Sequence, residues 1–129
     1  MQSVICLIEC NNKILLARNT YGNREWIFPG GGIKRGESKE IAAHRETFEE
    51  VGINLDSLVY FGEYTQTEFN KNAIVHCFYS KINNFSIKID EIEIGEADWF
   101  EWSNLPDNLS LDTVKIIKFY KTQPVIETI

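Results

Sequence analysis

The chain has 129 residues, 43% of them hydrophobic and 25% charged, with a formal net charge of −6. That length suits one domain, 1–129, with a core that needs no disulfide or structural metal, and the acidic balance argues against holding nucleic acid on a broad basic surface. No charged leader with an apolar stretch opens the chain and no apolar run reaches spanning length, so a cytoplasmic protein without a membrane partner is expected.

Val4 to Cys10 and Lys13 to Arg18 are apolar runs separated by Asn11-Asn12, a strand–turn–strand signal, because asparagine tolerates the positive φ of a tight turn. Asn19 to Glu25 reads as a polar loop, and Trp26 to Phe28 as a short strand ending at Pro29. A glycine-rich loop leads into a helix over 38–51, with Ser38 as N-cap and Gly52 as the stop. Ile41, Ala43, Phe48 and Val51 form its expected apolar face. Leu58 to Thr67 and Ala73 to Lys81 read as antiparallel strands joined by a turn over Glu68 to Asn72. Ser86 to Ile89 and Asp98 to Trp102 read as two further strands. Leu111, Val114, Ile117 and Tyr120 mark a final helix over Ser110 to Tyr120. The pattern is that of an α/β or α+β layered domain with a mixed sheet. Cys6, Cys10 and Cys77 form no paired motif and read as reduced core residues.

The chemistry concentrates in Gly31 to Ile53. Glu46, Glu49 and Glu50 stand at i, i+3 and i+4, so a helix projects them from one side, where like charges repel by a few tenths of a kcal/mol per pair. A bound cation relieves that crowding; a solvated acidic face is the competing reading. Ala42 lies in the acidic arc, where its small side chain leaves room for an ion, and Arg45 flanks the arc within reach of Glu49. The preceding Pro-Gly-Gly-Gly loop can bring backbone groups close to a phosphate or metal. Magnesium, a hard ion, suits several carboxylates completed by water and substrate phosphate.

The segment resembles the Nudix box, G-x(5)-E-x(7)-R-E-U-x-E-E-x-G-U with U apolar, at Gly31, Glu37, Arg45, Glu46, Glu49, Glu50, Gly52 and Ile53. Thr47 departs from it in the first apolar slot. The resemblance implies the Nudix fold, an α/β/α sandwich around a mixed β-sheet, and a pyrophosphohydrolase dependent on Mg2+, with Mn2+ as a substitute. It implies Glu46, Glu49 and Glu50 as metal ligands, the Gly31 carbonyl as a further ligand, and Glu49 or Glu50 as the group orienting or deprotonating water. Glu37 and Arg45 are implied to orient the ligating carboxylates. Glu93, six residues before Trp99-Phe100, is a further candidate ligand or base, with Glu96 its nearest competitor.

Substrate groups are less legible. Arg18, Arg24, Lys34 and Arg35 lie in or beside the loops flanking the box and are candidates for phosphate contacts, with Arg18 and Arg35 taken forward. Tyr21, Trp26, Tyr60, Tyr64 and Phe69 are candidates for stacking on a base, with Tyr21 and Trp26 taken forward. His44 falls beside Phe48 and reads as structural; His76 lies in a strand without a partner suggested by spacing. The expected substrate is a small nucleotide: a nucleoside triphosphate, a nucleotide sugar or ADP-ribose. Alternatives are the 5′ end of an RNA, or a sensor that binds a nucleotide without hydrolysing it. A homodimer is a family expectation.

Overall fold

The computed structural model describes residues 1–66 and 72–123. In chain order the elements are β1 (Gln2–Cys10), β2 (Lys13–Asn19), β3 (Gly30–Gly32), α1 (Lys39–Val51), β4 (Val59–Gln66), β5 (Ala73–Lys81), β6 (Ile94–Glu101) and α2 (Leu111–Lys121). They build a six-stranded mixed sheet in the order β4-β5-β1-β2-β6, with β3 paired to β1. The expected turn over Glu68 to Asn72 falls mainly outside the described residues, as do Thr67 and Phe69.

Asn11 and Asn12 take φ values of 48° and 65° and close the expected hairpin. The pairing of β1 with β2 is confined to Glu9–Ile14 and Cys10–Lys13. On its other edge β2 runs antiparallel to β6 from Lys13 to Asn19. One edge of β1 is taken by β5, in parallel, from Gln2 to Glu9. The opposite edge is shared between β2 at one end and β3 at the other, where Ser3, Val4 and Ile5 face Gly32, Gly31 and Gly30. This division of one strand edge brings the glycine segment to the start of β1.

Alternation along the central strands sorts the core into two layers. Val4, Cys6 and Ile8 of β1, Leu15 of β2 and Phe78 of β5 pack with Ala42, Ala43 and Val51 of α1. Leu7, Ile14, Leu16, Val75, Cys77 and Tyr79 pack with Ile116, Ile117 and Tyr120 of α2. Each fully buried aliphatic side chain contributes about 1.5–3 kcal/mol, so two apolar sheet faces demand a helix on each. The result is the expected α/β/α sandwich. The three cysteines are buried free thiols, and burial pushes Cys6 and Cys77 up to about 12, which leaves them unreactive.

Several elements differ from the sequence reading. Trp26 to Phe28 is not a strand. Its backbone bonds are divided among Ala17, Asn108 and Ser110, giving isolated bridges only, and regular pairing begins after Pro29. Ser86 to Ile89 is not a strand either, because Ser86 N–H donates to Asn84 and Lys88 N–H donates to Val51 at the end of α1. The β6 strand begins at Ile94, four residues before the expected Asp98. In α2, Leu111 is 52% exposed and Ile116 takes its place in the core.

The α1 boundaries agree with expectation. Ser38 Oγ accepts from Ile41 N–H at 3.1 Å, and Gly52 closes the helix at φ 71°. Its buried stripe does not agree. Ile41 and Phe48 are 59% and 53% exposed and His44 is exposed, whereas Ala42, Ala43, Thr47, Glu50 and Val51 are buried. Ala42 is fully buried and packs in the core instead of opening onto the acidic arc. The polar Thr47 and Glu50 on the buried stripe hid this face from a hydropathy pattern.

Thr47 sits where an apolar residue was expected, fully buried, and its Oγ1 has no hydrogen-bond partner of normal geometry. An unpartnered buried hydroxyl is costly, so Thr47→Val is expected to raise stability by about 1 kcal/mol in urea unfolding. A lower midpoint in the valine variant would show that the hydroxyl has a strong partner.

Candidate active site

The site is built where α1 faces β3. Glu37, at the end of a tight turn, accepts from Lys34 N–H through Oε1 at 2.9 Å, while its own N–H donates to the Lys34 carbonyl at 3.0 Å. Arg45, two turns along, meets that carboxylate with both sides of its fork. Nε donates to Oε2 at 2.6 Å and Nη2 donates to Oε1 at 2.9 Å. The same guanidinium donates from Nη2 to the Gly32 carbonyl at 3.0 Å and from Nη1 to Glu46 at 2.8 Å and Glu49 at 3.3 Å. These hydrogen bonds, with Arg45 first among them, hold the Glu37 carboxyl down at about 2 and raise the Arg45 pKa. The arrangement makes Arg45 a permanent cation that ties the loop, β3 and two glutamates together.

Glu50 is the unusual member. It is 5% exposed, and its Oε1 accepts from Gly30 N–H at 2.9 Å. Burial, reinforced by the charges of Glu46, Glu93 and Glu49, pushes its carboxyl up from 4.5 to about 8, against the pull of the Gly30 amide. That displacement corresponds to on the order of 5 kcal/mol, far more than the few tenths that helical like-charge pairs cost. Desolvation therefore dominates. Glu46, half-buried, is also raised, first by burial.

Two glycines make this packing feasible. A Cβ on Gly31 would lie 2.6 Å from the Glu46 carboxylate, and one on Gly30 would lie 2.1 Å from the Val4 carbonyl oxygen. Side chains at these positions would push β3 off β1 or the glutamate out of the site.

Glu93 comes from a distant part of the chain. Asp90 N–H donates to the Glu50 carbonyl and Lys88 N–H to that of Val51, which docks the segment on the end of α1. Thr20 N–H then donates to the Glu93 carbonyl at 2.9 Å, and Thr20 Oγ1 to that of Ile92. The Glu93 charge bears on both Glu46 and Glu50. Glu96, its competitor, pairs with Arg18 at 3.3 Å.

The other sequence candidates are scattered. Arg18 donates to the Arg24 carbonyl at 2.7 Å and lies 5.0 Å over the Trp26 ring. Trp26 is 7% exposed and packs edge-on against Phe100, so little of its ring face is open for stacking. Tyr21 is 61% exposed and Arg35 is exposed, both on loops. Tyr60 pairs with His76 Nδ1 at 3.1 Å, and His76 Nε2 meets Gln2 at 2.7 Å, so that histidine has a structural setting. Sequence reasoning missed the Gly30 amide and the Gly32 carbonyl; the Pro-Gly-Gly-Gly run was the available signal, but not which of its groups would bond.

Among the described residues no three acidic, histidine or cysteine side chains already form a metal cage; Arg45 draws Glu46 and Glu49 toward itself. The donor set nonetheless fits a hard divalent cation. Its side chains are all carboxylates, and a counter-charge beside the buried Glu50 carboxyl, raised among other acids, would favour its ionised form.

Comparison with known proteins bears on the family and the fold. The NUDIX domain profile matches residues 1–121. The NAD-capped RNA hydrolase NudC of Vibrio atlanticus is 29% identical over 112 residues, covering 86% of this chain and 41% of that protein. An RNA pyrophosphohydrolase of Yersinia enterocolitica is 50% identical over 50 residues, 37% of this chain and 28% of that protein. The chain thus spans well under half the length of these curated relatives. The crystal structure of a MutT NUDIX hydrolase from Burkholderia pseudomallei superposes with a TM-score of 0.80 at 20% identity, over 91% of this chain and 95% of that one. Profile, box geometry and fold together make this chain a member of the Nudix family.

Proposed function

We propose that the protein is a magnesium-dependent pyrophosphohydrolase that cleaves the diphosphate linkage of a small nucleoside diphosphate derivative. The observation that carries this is Glu50: a buried carboxyl, raised to about 8, clustered with Glu46, Glu49 and Glu93 against a glycine strand. Glu46, Glu49 and Glu50, with the Gly31 carbonyl, would hold the cation; manganese would serve in its place. A cation held there would supply neutralisation of phosphate charge and activation of a water for attack on phosphorus. Arg45 and Glu37 hold the carboxylates in place. Glu93, on its tethered segment, orients or deprotonates the attacking water. Arg18, Arg35 and Tyr21 remain proposed contacts to the substrate, and Trp26 supports the site from the core.

A second reading is removal of diphosphate from an RNA 5′ end. The 50% identity over 50 residues to an RNA pyrophosphohydrolase favours it. Only the terminus need enter the site, so the acidic surface is no bar.

The test is product analysis with nucleoside triphosphates, nucleotide sugars, ADP-ribose and 5′-triphosphorylated RNA. The wild type is expected to release a nucleoside monophosphate, pyrophosphate or sugar phosphate, and Glu50→Gln to lose activity by about a hundredfold or more. Binding without turnover by the wild type would replace the enzyme reading with that of a sensor. Glu93→Gln is expected to lower turnover by about tenfold or more with folding intact; near-normal turnover would remove Glu93 from the mechanism.

Glu50 also sets a pH dependence. Its folded-state pKa, about 8, lies above the ordinary 4.5. Its contribution to the stability of the metal-free protein is therefore full below pH 4.5 and lost as pH rises through 8. The metal-free protein is expected to melt at lower temperature at pH 9 than at pH 6, with a smaller difference in Glu50→Gln. Magnesium binding at neutral pH is expected to release about one proton, read by calorimetry in buffers of different ionisation enthalpy. No buffer dependence would show that Glu50 is already ionised.

A further inference from the structure

Glu93 belongs to a turn in which Glu91, Ile92 and Glu93 are all exposed. Ile92, the residue before it, is 89% exposed, so its side chain anchors nothing. Both of its backbone groups are nevertheless held by side chains. Asp90 Oδ1 accepts from Ile92 N–H at 3.1 Å, and Thr20 Oγ1 donates to the Ile92 carbonyl at 2.9 Å. Side-chain hydrogen bonds of this kind fix a turn that packing leaves loose.

The turn is also closed and docked through its backbone. The Asp90 carbonyl accepts from Glu93 N–H at 3.2 Å and from Ile94 N–H at 2.7 Å, while Asp90 N–H donates to the Glu50 carbonyl at 3.0 Å. Thr20 N–H donates to the Glu93 carbonyl at 2.9 Å. Asp90 therefore links the turn to the helix that carries Glu46, Glu49 and Glu50, and Thr20 links it to the end of β2. Beside Thr20 the ladder slips: Arg18 pairs with Glu96 but Asn19 with Ile94, which leaves Gly95 as an extra residue in β6. Such bulges re-aim neighbouring side chains.

The Glu93 carboxylate needs this support. Among the described residues it takes no hydrogen bond or ion pair of its own, and its charge interacts with those of Glu46 and Glu50. Repulsion between like charges favours conformers that swing it away from the cluster, and a held backbone limits them.

Resting on the pyrophosphohydrolase reading above, we propose that Thr20 and Asp90 are positioning residues for Glu93. By holding the two sides of Ile92 they fix where the Glu93 carboxylate stands relative to Glu46 and Glu50, and so relative to the attacking water. They act through Glu93 and not on the substrate. Misplacing a catalytic group by about 1 Å can cost on the order of a hundredfold in rate, so hydrogen bonds remote from the chemistry carry a measurable share of it.

The experiment combines steady-state kinetics with amide hydrogen exchange of the metal-free protein, read by NMR. Thr20→Val and Asp90→Ala are each expected to lower kcat about fivefold with KM within about twofold of the wild type. Thr20→Ser and Asp90→Asn, which keep the bonding oxygen, are expected to restore kcat to within about twofold. On top of Glu93→Gln neither loss is expected to exceed about twofold, because residues that act as one unit are not additive. Exchange at the Glu93 and Ile94 amides is expected to rise about fivefold in Thr20→Val and Asp90→Ala, with that of α1 unchanged. Wild-type kcat in both variants, a loss that persists in full on Glu93→Gln, or unchanged exchange would overturn the proposal. Thr20 is exposed, so its two variants decide the matter should Asp90→Ala fail to fold. Near-normal turnover in Glu93→Gln would remove the positioning role together with that of Glu93 and leave the pyrophosphohydrolase reading intact. A wild type that binds nucleotides without hydrolysing them would sink that reading alone, and the exchange rates would still decide whether Thr20 and Asp90 hold Glu93.

Discussion

The guanidinium of Arg45 is the interaction on which the rest of the site depends. One planar cation meets both oxygens of Glu37, the Gly32 carbonyl, Glu46 and Glu49. A lysine could not reproduce this, because a point charge has no fork to satisfy a carboxylate from two directions. Through Glu37 the guanidinium holds the loop before α1, and through Gly32 it holds the strand after which that loop begins. Remove it and the loop, strand and helix lose the group that keeps them in register.

Around that anchor the protein tolerates an unfavourable charge distribution. Glu49 and Glu93 lie close enough for their charges to add to the raising of Glu46 and Glu50, and Glu50 is buried besides. The burial follows from the sheet: β3 occupies the edge of β1 left open by the short β1–β2 pairing, and α1 packs directly over it. Glu50 meets Gly30 there because glycine lets the backbone approach. Such strain has a use where a cation must be bound, since the same crowding that destabilises the empty arrangement rewards the filled one.

Local signals in the sequence were reliable where a local group carries the physics. Asn11-Asn12 makes the turn with its own backbone, Ser38 caps α1 with its own hydroxyl, and Gly52 ends it in the left-handed region. Strand positions in β1, β2 and β5 followed from apolar runs bounded by polar turn residues. Signals that depend on a distant partner failed. Trp26 to Phe28 and Ser86 to Ile89 have the composition of strands, but their backbone groups bond to Ala17, Asn108 and the end of α1. The buried stripe of α1 was misread because Thr47 and Glu50 lie on it while Phe48 does not.

The sequence by itself determined the family, the two helices and the caps of α1, and the set of acids with the arginine that flanks them, because the spacing of those groups on one helix is set by 3.6 residues per turn. Only the tertiary structure decided that Glu50 rather than Glu49 is the buried acid, that Gly30 is its partner, and that Glu93 rather than Glu96 turns toward the cluster. It alone brought Thr20 to the backbone of Ile92 and Glu93. Burial and cross-chain contact depend on which strand edge is free and which helix face covers it, and residue spacing along one segment carries no record of either.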